Sequence, residues 1–166
     1  MQVGKDIMLQ HHQEQPSHFR LTTLEDIKYL APRLRVADKR EILASVGQAP
    51  YDVLLKSFYN STLCFTIVNP NNEPVGIFGV GDAGNGVGGI WAMATDDLQK
   101  IKITFLKECK EIVNLFNKKY KILWNYVDCR NSLHIKWLKW CGFIFINKQR
   151  RGVLNKNFYE FIKLCA

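Results

Sequence analysis

The chain has 166 residues, 47% of them hydrophobic, and a formal charge of +8. That is enough for one domain with its own core, and no apolar run approaches the ~20 residues of a membrane span. The first sixteen residues, polar and rich in His and Gln, lack the apolar centre of a signal peptide, so an intracellular protein is expected. Cys64, Cys109, Cys129, Cys141 and Cys165 are an odd number without a CxxC pair. This favours reduced thiols over a disulfide framework or a zinc site, and no metal site is expected. The basic balance suits a polyanionic partner: nucleic acid, a phosphorylated cofactor or an acidic protein. No nucleic-acid motif accompanies it, so any such contact is expected to be non-specific.

Residues 1–17 read as a loose arm and residues 18–166 as one domain. His18 to Thr22 reads as a strand, and Thr23-Leu24-Glu25-Asp26 as a capping-box helix start that stalls at Pro32. A second helix is predicted from about Arg33 to Val46, with Leu34, Ala37, Ile42 and Leu43 inward, and a third from Tyr51 to Tyr59. Thr62 to Val68 and Pro74 to Val80 form a hairpin around the turn Asn69 to Glu73. The five glycines of Gly81 to Gly89 read as a flexible loop. Ile90 to Ala94 is a central strand, and Thr95 caps a long helix from about Asp96 to Asn117. Asn147 to Asn157 reads as a basic loop before a last strand, Phe158 to Leu164.

The most informative stretch is Lys121 to Ile146. Ile122 to Val127 is a buried-strand pattern, Asn131 or Ser132 can cap a short helix, and Leu133, Trp137, Leu138 and Cys141 recur at helical spacing. Gly142 stops the helix, and Phe143 starts the next strand. Asn131 followed by a short helix and Gly142-Phe143 resembles the last motif block of the GNAT superfamily, the acyl-CoA-dependent N-acyltransferases. The order of elements agrees along almost the whole chain. The resemblance implies an α/β (α+β) fold: a mixed, mostly antiparallel sheet with helices on both faces. In that family the strand before the Asn splays from its neighbour, and the pantetheine of acyl-CoA lies in the opening. It implies cofactor contacts at Trp91, Ala92, Met93, Ala94, Lys100 and Asn131.

The sequence departs from the family in two places. The family's phosphate turn, Arg/Gln-x-x-Gly-x-Gly/Ala, lets the backbone approach the pyrophosphate at a helix start. Here the turn reads Ala94-Thr95-Asp96-Asp97-Leu98-Gln99-Lys100, with no glycine and two carboxylates. The family's acid, a Tyr four residues before the Gly, is replaced by Leu138. Tyr126, His134 and Glu41 are the remaining catalytic candidates; Glu41, like Glu25 and Asp38, also reads as a surface helix carboxylate. If the chain is active, an amine would attack the thioester directly, with the carbonyl polarised by a backbone N–H of the Trp91–Ala94 strand.

A closer resemblance rests on Arg35 to Glu41, Gly76 to Val80, Ile90 to Thr95, Asn125 to Asn131, His134 to Leu138 and Gly142-Phe143. Together these are similar to the GNAT-like internal virion proteins of T7-like podoviruses, from Leu21 to the C-terminus. That resemblance implies a phage-encoded protein in the host cytoplasm or the virion. It also implies other virion proteins as partners, a role in assembling the internal core, and catalysis degenerate or lost. An active acyl-CoA-dependent N-acyltransferase acting on a host or phage amine is the alternative.

Overall fold

In the computed structural model, which describes residues 18–165, the runs of β-branched and aromatic residues become strands and the helical-period runs become helices. The order is β1 (Phe19–Leu21), α1 (Leu24–Leu30), α2 (Val36–Ser45), α3 (Pro50–Asn60), β2 (Ser61–Val68), β3 (Pro74–Asp82), β4 (Val87–Ala94), α4 (Lys102–Lys119), β5 (Ile122–Asp128), α5 (Ser132–Trp140), β6 (Ile144–Arg151) and β7 (Lys156–Leu164). The arm expected over residues 1–17 lies outside the described residues. No described helix is long and apolar enough to cross a membrane.

The seven strands form one sheet in the order β1-β2-β3-β4-β5-β7-β6. Neighbours are antiparallel except β4 and β5, which pair in parallel only from Val87↔Ile122 to Gly89↔Trp124. Beyond that point β4 keeps β3 as its ladder partner and β5 keeps β7, so the two strands part. The adjacent β3 residues Ile77 and Phe78 point to opposite faces and enter two different cores. Ile77 packs with Ile27, Leu30, Ile42 and Leu54 of α1 to α3. Phe78 packs with Phe105 and Phe116 of α4 and Trp137 of α5. The mixed sheet covered on both faces is the architecture expected from the sequence.

The capping box is present: Thr23 Oγ1 accepts from the Asp26 N–H and Asp26 Oδ2 from the Thr23 N–H. Gly142 ends α5 with φ +87°. Four expectations need correction. The second helix begins at Val36, because Leu34 bridges to Thr95 of the sheet, and Leu43 is exposed rather than inward. The glycine stretch is mostly strand: β3 runs to Asp82 and β4 starts at Val87, leaving a short turn. A Cβ at Gly88 would lie 2.7 Å from the Tyr120 ring and one at Gly81 2.7 Å from Asn60 O, so these glycines admit close packing. The long helix opens as a 3-10 turn over Asp96–Ile101, and its α portion extends to Lys119.

The last correction concerns the expected basic loop, which is the end of a hairpin. β6 runs to Arg151 and β7 starts at Lys156. The turn between them docks on α2, with the Val153 N–H donating to Ser45 O and the Leu154 N–H to Ala44 O. The turn thus satisfies carbonyls that the C-terminus of a helix leaves without partners.

Candidate functional site

The gap between β4 and β5 is bridged in two places. Asn125 Nδ2 donates to Ile90 O at 2.7 Å, just past the last ladder pair. Further along, the start of α2 enters. The Arg35 N–H donates to Ala94 O at 2.9 Å, and Asp38 Oδ2 accepts from the Ala94 N–H at 3.0 Å. A helix of this chain therefore holds the open edge of β4 as a neighbouring strand would.

Asp38 is the hub. Its Oδ1 accepts from Arg35 Nη2 at 2.8 Å and Asn131 Nδ2 at 3.0 Å, and its Oδ2 also accepts from Arg35 Nε at 3.1 Å. Arg35 donates to Asn131 Oδ1 at 3.2 Å and lies 5.0 Å from the centre of the Trp137 ring. Asn131 Nδ2 also donates to Glu41 Oε2 at 2.7 Å, and Glu41 Oε1 accepts from the Asp128 N–H at 3.0 Å. Arg35 and Asp38 are only 6% and 3% exposed. A buried ion pair is tolerable when further hydrogen bonds take up its lone pairs and protons, as Asn131 and the Ala94 N–H do here.

This environment moves two protonation equilibria. Burial pushes Glu41 up to about 7, assisted by Asp38 and Asp128, although its bonds from Asn131 and Asp128 oppose the rise. Burial pushes His134 down to about 4, assisted by Arg35 and opposed by Asp38. His134 is therefore a neutral imidazole near pH 7. One ligand atom from each of Asp38, Glu41 and His134 lies within 4.8 Å of the others. Asp38 already accepts four hydrogen bonds, two from a guanidinium, so the trio has the chemistry of an ion-pair network rather than of a cation site.

A cleft of about 210 Å³ remains beside the network. The three catalytic candidates, Tyr126, His134 and Glu41, all line it, as do Trp91, Ala92 and Met93. Ala94 and Asn131 do not; each is 1% exposed and committed to the network. Lys100 is on the surface, paired with Asp97 at 3.0 Å. At the start of the 3-10 turn, Thr95 Oγ1 itself accepts from the Asp97 N–H. Asp38, expected at the surface, is buried because α2 turns its charged face inward and exposes Val36 and Leu43. From sequence Arg35 is not a site residue, and Arg151 counts only as contact surface within the basic loop around Arg150 and Arg151. One signal was available: Arg35, Asp38 and Glu41 share a helical face, and Val36 and Leu43 lie on another.

The fold is that of the GNAT acetyltransferases. A GNAT-family acetyltransferase from Bacillus anthracis is similar at TM-score 0.67 and 10% identity, over 90% of this chain and 96% of that one. An aminoglycoside acetyltransferase in complex with coenzyme A is similar at TM-score 0.63 and 17% identity, over 89% and 94%. A ribosomal-protein-S5-alanine acetyltransferase from Vibrio fischeri is similar at TM-score 0.62 and 15% identity, over 91% and 95%. Residues 67–149, half of the chain, match the model of the family described as "Bacteriophage T7, probable scaffold protein Gp13". The chain belongs to that family. No curated protein matches it.

Proposed function

We propose that this chain is a phage assembly protein that keeps the acetyltransferase fold without its cofactor chemistry. The observation that carries this reading is the state of Ala94, whose N–H and C=O are both engaged by Asp38 and Arg35. In the superfamily it resembles, pantetheine lies in the opening between these two strands. Acyl-CoA does not fit the residues found here. The β4 edge at Ala94 is taken, and Asn131 is locked into the network. The turn Thr95 to Asp97 offers two carboxylates and a side-chain cap where a pyrophosphate would need bare N–H groups. Membership of a family described as phage scaffold supports a place in the particle or its assembly in the host cytoplasm, with other virion proteins as partners.

A thermal melt with millimolar acetyl-CoA tests this. A ligand that binds only the folded state stabilises it by ~2.7 kcal/mol at about a hundred times its dissociation constant. No shift is expected, and a clear upward shift would overturn the loss of cofactor binding. The assembly role is tested by removing the gene from its phage; particles of normal composition and full infectivity would refute it.

One observation favours a second reading, an acyl-CoA-dependent N-acyltransferase. Tyr126, His134 and Glu41 meet at one cleft, and Glu41 is pushed up to about 7, where a general base works well. Under that reading Glu41→Gln abolishes acetyl transfer to an amine without unfolding the protein.

A further inference from the structure

Two arginines of the described residues are buried or half-buried and paired with carboxylates: Arg20 with Asp26 and Arg35 with Asp38. A third, Arg151, is half-buried and has no such partner. Its guanidinium stacks 3.5 Å from the centre of the Tyr126 ring. Nη1 is shut off from solvent and without a hydrogen-bond partner among the described residues. Nε and Nη2, by contrast, are not shut off and make no hydrogen bond with the described residues. Arg151 and Tyr126 both line the cleft beside the Asp38 network.

We propose that this cleft receives a carboxylate presented by a protein partner, and that Arg151 is its anchor. Stacking fixes the guanidinium plane and leaves its Nε–Nη2 edge to donate, which suits the flat, two-oxygen shape of a carboxylate. The nearby acids do not oppose this strongly. Asp38 is neutralised by Arg35, and burial, by pushing Glu41 up to about 7, leaves it only partly charged near neutral pH. His134 faces the same cleft as a neutral ring with no hydrogen bond among the described residues. At about 210 Å³ the cleft is smaller than the usual small-molecule pocket and suits one side chain or one chain terminus. It borders a groove of about 380 Å³, with Val46, Val53, Ser57, Trp91 and Asn125 lining both, which gives the adjoining peptide a surface to lie on. The charge of +8 draws an acidic partner towards it. That the partner is a protein rests on the assembly reading; the carboxylate site rests on Arg151 alone.

The test is an NMR titration of the full chain with three probes. These are N-acetyl-Ala-Ala with a free C-terminus, the same dipeptide as its C-terminal amide, and N-acetyl-Asp N-methylamide. The expected result is saturable shifts at the Tyr126 and Arg151 amides for a probe with a carboxylate and none for the amide. The dipeptide acid and the aspartate probe then tell whether a chain terminus or a side chain is preferred. Arg151→Met should weaken binding about tenfold or more while the melting temperature holds. Equal binding of acid and amide, no binding of either acid, or unchanged binding by Arg151→Met would each overturn the proposal. If Arg151→Met does not fold, the Arg151 Nε–H resonance of the natural chain decides: it must move on saturation. Acetyl-CoA binding in the melt would overturn the loss of cofactor chemistry and leave this titration to stand or fall by itself.

Discussion

At the scale of single residues, Asp38 concentrates the polar energetics of the fold. It neutralises Arg35, caps the main chain of Ala94 and orients Asn131. Removing one partner of a buried ion pair leaves the other charge uncompensated, so Asp38→Ala should cost about 3–5 kcal/mol in urea unfolding. The double replacement Arg35→Met with Asp38→Leu should cost less, because no lone charge remains. The two shifted groups pull stability in opposite directions with pH. His134 has its folded value lowered from 6.5 to about 4. Its contribution is complete above pH 6.5 and is lost as pH falls through 4. Glu41 has its value raised from 4.5 to about 7. Its contribution is complete below pH 4.5 and is lost as pH rises through 7. Where the windows overlap they offset. His134→Gln should therefore uncover a fall in the urea midpoint as pH rises from 4.5 to 7, which the natural chain masks.

At the scale of elements, the β6–β7 turn and the end of α2 form one unit. Gly152 has φ +79°, and a Cβ there would collide with the Ala44 carbonyl oxygen. Gly152→Ala should destabilise the protein by ~1–3 kcal/mol, read as a lower urea midpoint. Thr95→Ala, which removes the cap of the 3-10 turn, should cost about 1 kcal/mol. Much of this layer was legible in the sequence. The hairpin of β2 and β3, the helix closed by Gly142 and the capping box at Thr23 carry local signals, and each lies where those signals put it. The glycine stretch differs from a loop because only Gly84 and Gly86, at positive φ, serve the turn, whereas Gly81 and Gly88 answer to distant partners, the Asn60 carbonyl and Tyr120. Asn131 was legible as a helix start by position, yet its side chain does not cap. It turns inward to Asp38 and Glu41, a pairing with no local trace. The cleft was half legible: Tyr126, His134 and Glu41 were named, whereas Arg151 was hidden in what read as a loop.

At the scale of the whole molecule, the sheet keeps its fork while the chain itself fills one arm of it. Restoring glycine to the phosphate turn should not restore a cofactor site. Asp96→Gly with Asp97→Gly should leave the melt unmoved by acetyl-CoA, because Asp38 and Arg35 still hold Ala94. A shift in that variant would locate the whole defect in the turn. The network also has a consequence for the route by which the protein folds. Asn131 meets Asp38 and Glu41 across 93 and 90 residues of sequence, and the Asp128 N–H meets Glu41 across 87. Contacts that close such long loops pay their entropy before any reward, and they slow folding when they must form early. A buried polar network also needs near-final geometry to be satisfied. Asp38 and Asn131 should therefore join after the rate-limiting barrier. Weakening them with Asp38→Asn should speed unfolding and leave the folding limb of a chevron almost untouched, with a phi-value near zero. A slowed folding limb would instead make this junction part of the nucleus, with the fork and its filling formed in one step.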